Sequence, residues 1–162
     1  MRGRGRALWE MTVTRRLSLL LIALFAVSLA ACDRVSQSAL DLVVGDCFVE
    51  PAAEAEVQDV QRAPCNESHS GEVMLVADYP NQDTYPGVDA FQAWIEANCL
   101  GETFTTYTGK TYEDALDISV SYLYPTTEGW GQGDKEMTCY LVPVDGTPVN
   151  FSYRLGASPP AS

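Results

Sequence analysis

Histidine is nearly absent from this 162-residue chain, which has only His69, and bases are scarce, at 10 Lys+Arg against 22 Asp+Glu. Scarce cations exclude nucleic acid as a partner, because holding a phosphate backbone takes clustered Lys and Arg. No Cys-x-x-Cys pair occurs, which argues against a zinc site or a redox-active dithiol. P-loop, nucleophile-elbow and dinucleotide fingerprints are also missing. No apolar run reaches the ~20 residues that a membrane-spanning helix needs. What remains is 46% hydrophobic and 20% charged, the composition of one folded domain.

The charge is unevenly spread. Arg2, Arg4, Arg6, Arg15 and Arg16 precede residue 32 with one acid, Glu10, so residues 32–162 carry 5 basic against 21 acidic groups, a net of -16. Leu17 to Ala31 is a run of 15 apolar or small residues directly after Arg15-Arg16. That is the n-region and h-region of a secretory signal, and at ~1.5 Å per residue it is too short for a ~30 Å hydrocarbon core. It ends in Leu29-Ala30-Ala31-Cys32, which resembles a bacterial lipobox, in which the Cys thiol takes up diacylglycerol before cleavage. The expected product begins at Cys32, carries the two or more acyl chains that stable anchoring requires, and sits on the outer face of the cell membrane. Residues 32–41 read as a polar tether, 42–155 as the domain and 156–162 as a disordered tail.

Removing Cys32 from the five cysteines leaves Cys47, Cys65, Cys99 and Cys139, an even number for an oxidising compartment, which reads as two disulfides. Of three connectivities, Cys47–Cys65 and Cys99–Cys139 join neighbours along the chain and tie different elements together. In the chain-entropy picture they are worth roughly 3 and 4 kcal/mol.

Strands are expected at Leu42–Val49, from Val57 towards Cys65, at Glu72–Ala77, Leu116–Tyr124, Glu136–Val144 and Val149–Leu155. Val88, Phe91, Ile95 and Cys99 fall on one helical face, while Ala97, Leu100, Phe104 and Tyr107 fall on the other, so the helix over Val88–Tyr107 is expected to kink or to pack on two faces. Thr126–Asp134 reads as a Gly-rich loop. The sum is an α+β domain: an antiparallel sheet of five to six short strands with one amphipathic helix.

Candidate chemistry is sparse. Ser68 and Ser70 flank His69, but neighbours on an extended segment point to opposite faces and neither reaches the ring easily. His69 and Glu72 have an i, i+3 spacing, which reads better as a polar pair fixing the turn after Cys65 than as metal ligands or an acid–base pair. Gly129-Trp130-Gly131-Gln132-Gly133-Asp134 lacks the lysine and flanking helix of a phosphate loop. Asp114 with Asp117, and Glu50, Glu54 and Glu56, lack calcium-loop spacing and read as a solvated acidic face. No cofactor or metal is expected. The sequons at Asn66 and Asn150 lose meaning in a bacterial lipoprotein.

Val44-Gly45-Asp46-Cys47-Phe48, Cys65-x-x-x-His69-x-x-Glu72-Val73, Tyr85-Pro86-Gly87, Cys99, Tyr107-x-Gly109, Pro125-Thr126-x-x-Gly129-Trp130-x-x-Gly133-Asp134 and Cys139 follow one another in order. As a set they resemble the septum-formation domain of actinobacterial envelope proteins. The resemblance implies an extracytoplasmic, membrane-attached, non-enzymatic domain whose partner is an envelope protein or wall polymer. His69, Glu72, Tyr85, Trp130 and Asp134 are the candidate binding residues. The alternative is a module that captures a small molecule or peptide on the aromatic loops around Tyr85, Trp130 and Tyr124.

Overall fold

A computed structural model describes residues 36–51, 57–80 and 83–157. The signal segment, Cys32, Glu54, Glu56 and the tail beyond residue 157 lie outside the described residues. Among those described, no helix is long and apolar enough to cross a membrane.

Six strands form one antiparallel sheet: β1 (Ser36–Ser38), β2 (Cys47–Val49), β3 (Asp59–Ala63), β4 (Gly71–Asp78), β5 (Ile118–Leu123) and β6 (Glu136–Pro143). Their spatial order is β1-β3-β2-β4-β6-β5. The expected α+β class and sheet stand. Residues 36–41, placed in the tether from sequence, contribute β1 and a 3-10 turn over Ala39–Asp41.

Alternation decides what each face of the sheet buries. On β6, Met137, Cys139 and Leu141 face the helices, while Thr138, Tyr140 and Val142 face away. On β4 a bulge between Val73 and Leu75 inserts Met74, so that Met74 and Leu75 both pack on the helix side. Gly71 has no side chain because Phe48 occupies that space, and a Cβ there would lie 2.7 Å from the ring.

The expected helix is two helices, α1 (Val88–Cys99) and α2 (Glu102–Thr108). Gly101, at φ -95° and ψ -119°, breaks the helical path between them. The break lets both predicted stripes reach the sheet: Phe91, Ile95 and Cys99 from α1, and Phe104 and Tyr107 from α2, all enter the same core. Both expected disulfides are present. Cys99–Cys139 staples the end of α1 to the middle of β6, and Cys47–Cys65 joins β2 to the segment after β3.

Three expectations need correction. Thr126–Asp134 is not a loop but contains α3 (Thr127–Gln132), because Thr126 caps it, its Oγ1 accepting from the Gly129 N–H at 3.0 Å, and Gly133 closes it at φ 100°. Those start and stop signals outweigh two interior glycines. Val149–Leu155 is not a strand. Val149 makes one isolated bridge to His69, and the segment is then held by side-chain acceptors instead of a ladder. The first expected strand is shorter, because Asp46 turns the chain, its carboxylate accepting from the Val43 N–H at 3.0 Å, and β2 starts only at Cys47.

Candidate functional site

The structure sorts the predicted site residues into a buried polar knot, an aromatic cluster and an open groove.

The knot holds His69 and Glu72, 1% and 0% exposed. His69 lies just before β4. Its Nδ1 sits 2.8 Å from the Glu67 carbonyl oxygen and therefore donates to it, leaving Nε2 as an acceptor with no hydrogen-bonding partner among the described residues. Its backbone exchanges two hydrogen bonds with Val149, at 2.9 and 2.8 Å. This local tie matches the expected turn-fixing role. Glu72 does not share it. Glu72 Oε1 accepts from the Tyr107 hydroxyl at 2.7 Å and from the Ser152 hydroxyl at 2.6 Å, and Oε2 accepts from the Tyr153 N–H at 2.8 Å. One carboxylate thus ties α2 and the C-terminal segment to the sheet. Burial, with the bond to Glu72 adding to it, pushes the Tyr107 hydroxyl far above its ordinary range, so it remains a donor.

Ligand atoms of Cys47, His69 and Glu72 lie within 4.8 Å of one another. The Cys47 sulfur is bonded to Cys65, which leaves two donors, short of the four that a structural zinc site uses. Ser70 Oγ is occupied elsewhere, accepting from the Glu50 N–H at 2.8 Å.

The aromatic cluster contains Tyr85 and Trp130, brought together with ring centroids 6.0 Å apart. Both rings also pack on Phe91, as does Tyr124, which stacks on it at 5.2 Å. Trp130 is only 4% exposed, and Lys135 Nζ already sits 3.7 Å over its ring. Phe91 and Trp130 are core and Tyr85 is partly buried against them, whereas Tyr124 is 36% exposed and also lines the groove.

The groove lies on the sheet face turned away from α1 and α2, with a volume of about 1050 Å³. Its floor is Ser121 and Leu123 of β5 and Thr138 and Tyr140 of β6; α3 and the Ala39 and Val57 neighbourhoods border it. Among the described residues Glu50, Glu128, Asp134 and Glu136 line it, with no Lys, Arg or His beside them. Hydroxyls tie its floor: Ser121 donates to the Tyr140 oxygen at 2.9 Å, and Tyr140 donates to Glu50 at 3.3 Å. Burial, with Asp134, Asp78 and Asp41 adding to it, raises the Glu136 carboxyl above the ordinary carboxylate range, a shift that a bond from Thr138 only partly offsets. Of the five candidate binding residues only Asp134 lies here, beside Tyr124 of the alternative aromatic reading. Asp134 also accepts from the Glu136 N–H at 2.9 Å. Glu136, Thr138 and Tyr140 were missed, although their alternation with the apolar residues of β6 marks a polar sheet face. Glu128 comes from a helix read as loop.

A family model described as septum formation matches residues 44–157, which span the sheet from β2 onward and all three helices. The chain belongs to that family. No curated protein and no solved structure matches it. The family's description ties the domain to cell division or the envelope, and the resemblance seen in the ordered cysteines and Cys-x-x-x-His-x-x-Glu segment stands. In this septum-formation domain that segment forms the knot: Cys65 bridges to Cys47, the His69 backbone pairs with Val149, and Glu72 holds Tyr107 and the C-terminal segment.

Proposed function

We propose that this septum-formation domain is a non-catalytic binding module. A lipid on Cys32 holds it at the extracytoplasmic face of the cell membrane, where it engages an envelope protein or wall polymer during septum formation or wall growth. The observation that carries this reading is the acidic groove: among the described residues Glu50, Glu128, Asp134 and Glu136 line it with no Lys, Arg or His, while helices close the opposite sheet face. A small-molecule or peptide capture function built on Tyr85, Trp130 and Tyr124 is the weaker reading, because Tyr85 and Trp130 are packed on Phe91 and only Tyr124 is exposed.

An extracytoplasmic fluorescent fusion imaged in dividing host cells tests it. Mid-cell enrichment of the native fusion is expected, with release of the Cys32→Ala form and loss of enrichment in a Glu128→Gln/Glu136→Gln form. Uniform membrane signal of the native fusion overturns the septal partner. A Cys32→Ala form that stays on the membrane overturns the lipid anchor.

A further inference from the structure

The two edges of the sheet are treated differently. β1 is three residues long, and a short edge is one of the ways proteins blunt unwanted pairing. β5 is six residues long, Ile118-Ser119-Val120-Ser121-Tyr122-Leu123, with no proline and no charge, and it pairs all six with β6 without a bulge. Among the described residues β6 is its only hydrogen-bonded neighbour in the sheet. Every second residue of such a strand turns its N–H and C=O outward, which makes a ready template for another extended chain. Ser121, Tyr122 and Leu123 also line the acidic groove, so the open edge and the carboxylates form one continuous surface.

We propose that β5 takes up an extended, basic polypeptide segment as a seventh strand, with alternate Lys or Arg side chains lying across the groove. This rests on the reading of the domain as a binding module and names its partner as polypeptide. Main-chain pairing supplies adhesion and the alternate side chains supply selectivity. An added strand sits about 4.8 Å outside β5, so Thr138 on β6 is roughly two strand spacings away, and Glu136, two residues past the Leu123–Thr138 pair, is offset a further ~7 Å along the strand. A long basic side chain meeting a glutamate half-way spans that gap. Charge decides against a second copy as occupant: residues 32–162 carry a net of -16, and two copies paired along β5 would bring their carboxylate grooves together.

The test titrates the purified full-length chain into a fluorescein-labelled Lys-Val-Lys-Val-Lys-Val peptide, followed by anisotropy. Its controls are the Glu-Val counterpart, a Lys-Val peptide N-methylated at alternate backbone nitrogens, and solubilised wall glycan fragments. Expected is binding of the Lys-Val peptide roughly tenfold or more tighter than either control peptide, weakened several-fold by Glu128→Gln/Glu136→Gln and by added salt. Amides on the outer side of Ser119–Leu123 should gain hydrogen-exchange protection on binding. Equal binding of the N-methylated peptide means capture by charge alone and overturns strand addition, as does equal binding of the Glu-Val peptide. Binding of glycan fragments without the Lys-Val peptide assigns the face to a polymer and overturns it too. Septal enrichment with a failed titration sinks only strand addition, while a positive titration with uniform membrane signal sinks only the septal reading.

Discussion

Replacing Glu72 by alanine removes one acceptor group and strands three donors at once. Tyr107 is 8% exposed and its hydroxyl has no route to water, so its orphaned donor costs about 2 kcal/mol. The Ser152 hydroxyl and the Tyr153 N–H are half-buried and can turn to solvent, so each loses nearer ~1 kcal/mol. The sum, about 4 kcal/mol, is a large part of the ~5–15 kcal/mol that stabilises a domain. At roughly 4 °C per kcal/mol for a domain of this size, Tm should fall by about 15 °C. Glu72→Gln is the informative companion. Its carbonyl can take the Tyr153 N–H, but its NH₂ then faces both hydroxyls, whose protons lose their acceptor, for a cost of about 2 kcal/mol. Calorimetry with both disulfides intact should rank wild type above Gln above Ala. Hydrogen exchange should show the Tyr153 and Leu155 amides opening first, since Leu155 is tied only by its N–H to the Tyr107 carbonyl at 2.6 Å. An alanine variant within about 1 kcal/mol of wild type, or one whose C-terminal amides keep their protection, refutes the latch.

Gly71→Ala places a Cβ 2.7 Å from the ring of Phe48, which is fully buried and held edge-on by Tyr140 at 5.1 Å, so the unfolding free energy should drop by about 2 kcal/mol, read as a lower urea midpoint with m unchanged. An unchanged midpoint means the ring yields. Removing the Cys99–Cys139 bridge, which closes a separation of 40 residues, should destabilise more than removing Cys47–Cys65, which closes 18. Cys139→Ser and Cys65→Ser melts should rank in that order, and the reverse ranking counts against the loop-closure account. Tyr107, Tyr140 and Tyr153 are all raised, chiefly by burial, the last two to about 12. A raised folded pKa gives stability that is whole below the ordinary tyrosine value near ~10 and is lost as pH rises towards the folded value. Denaturation midpoints should therefore fall between pH 10 and 12, with tyrosinate absorbance appearing late. Ionisation of all the tyrosines near pH 10 with the fold intact speaks against their burial.

Where period and capping act locally, the sequence shows the structure. The alternation through Ile118–Leu123 and Glu136–Pro143 marks strands, the spacing of Phe91, Ile95 and Cys99 marks α1, and the even cysteine count marks the two bridges. Expectations failed where a distant partner replaced a local pattern, and also where local signals were passed over: the Thr126 cap and Gly133 stop of α3, and the Asp46 turn before β2. The apolar alternation near Leu116 starts too early, since Leu116 is 85% exposed and the strand begins at Ile118. Val149 to Leu155 reads as a strand but is fastened by Glu72, some 80 residues away, and nothing local announces that acceptor. The groove is the extreme case. Its carboxylates come from the end of β2, from α3, from the turn after it and from β6, so their convergence exists only once the sheet order is set.

That convergence bears on why the carboxylates are there. Glu136 is charged against its surroundings: burial opposes ionisation and Asp134, Asp78 and Asp41 oppose it further. Its carboxyl is raised in the folded state, so its contribution to stability is whole below the unfolded value near ~4.3 and is lost as pH rises through the folded one. Glu136→Gln keeps the acceptor for the Thr138 hydroxyl and removes the charge, so it should raise Tm at pH 7 and leave it unchanged at pH 3. A lower Tm at pH 7, or the same difference at both pH values, refutes the reasoning. If the charge is retained at a cost to folding, its use lies outside folding, as expected of a surface kept for a basic partner. The two disulfides and the Glu72 latch bind the helices and C-terminal segment to the sheet without drawing on the groove carboxylates. The groove can therefore carry that electrostatic cost without loosening the fold.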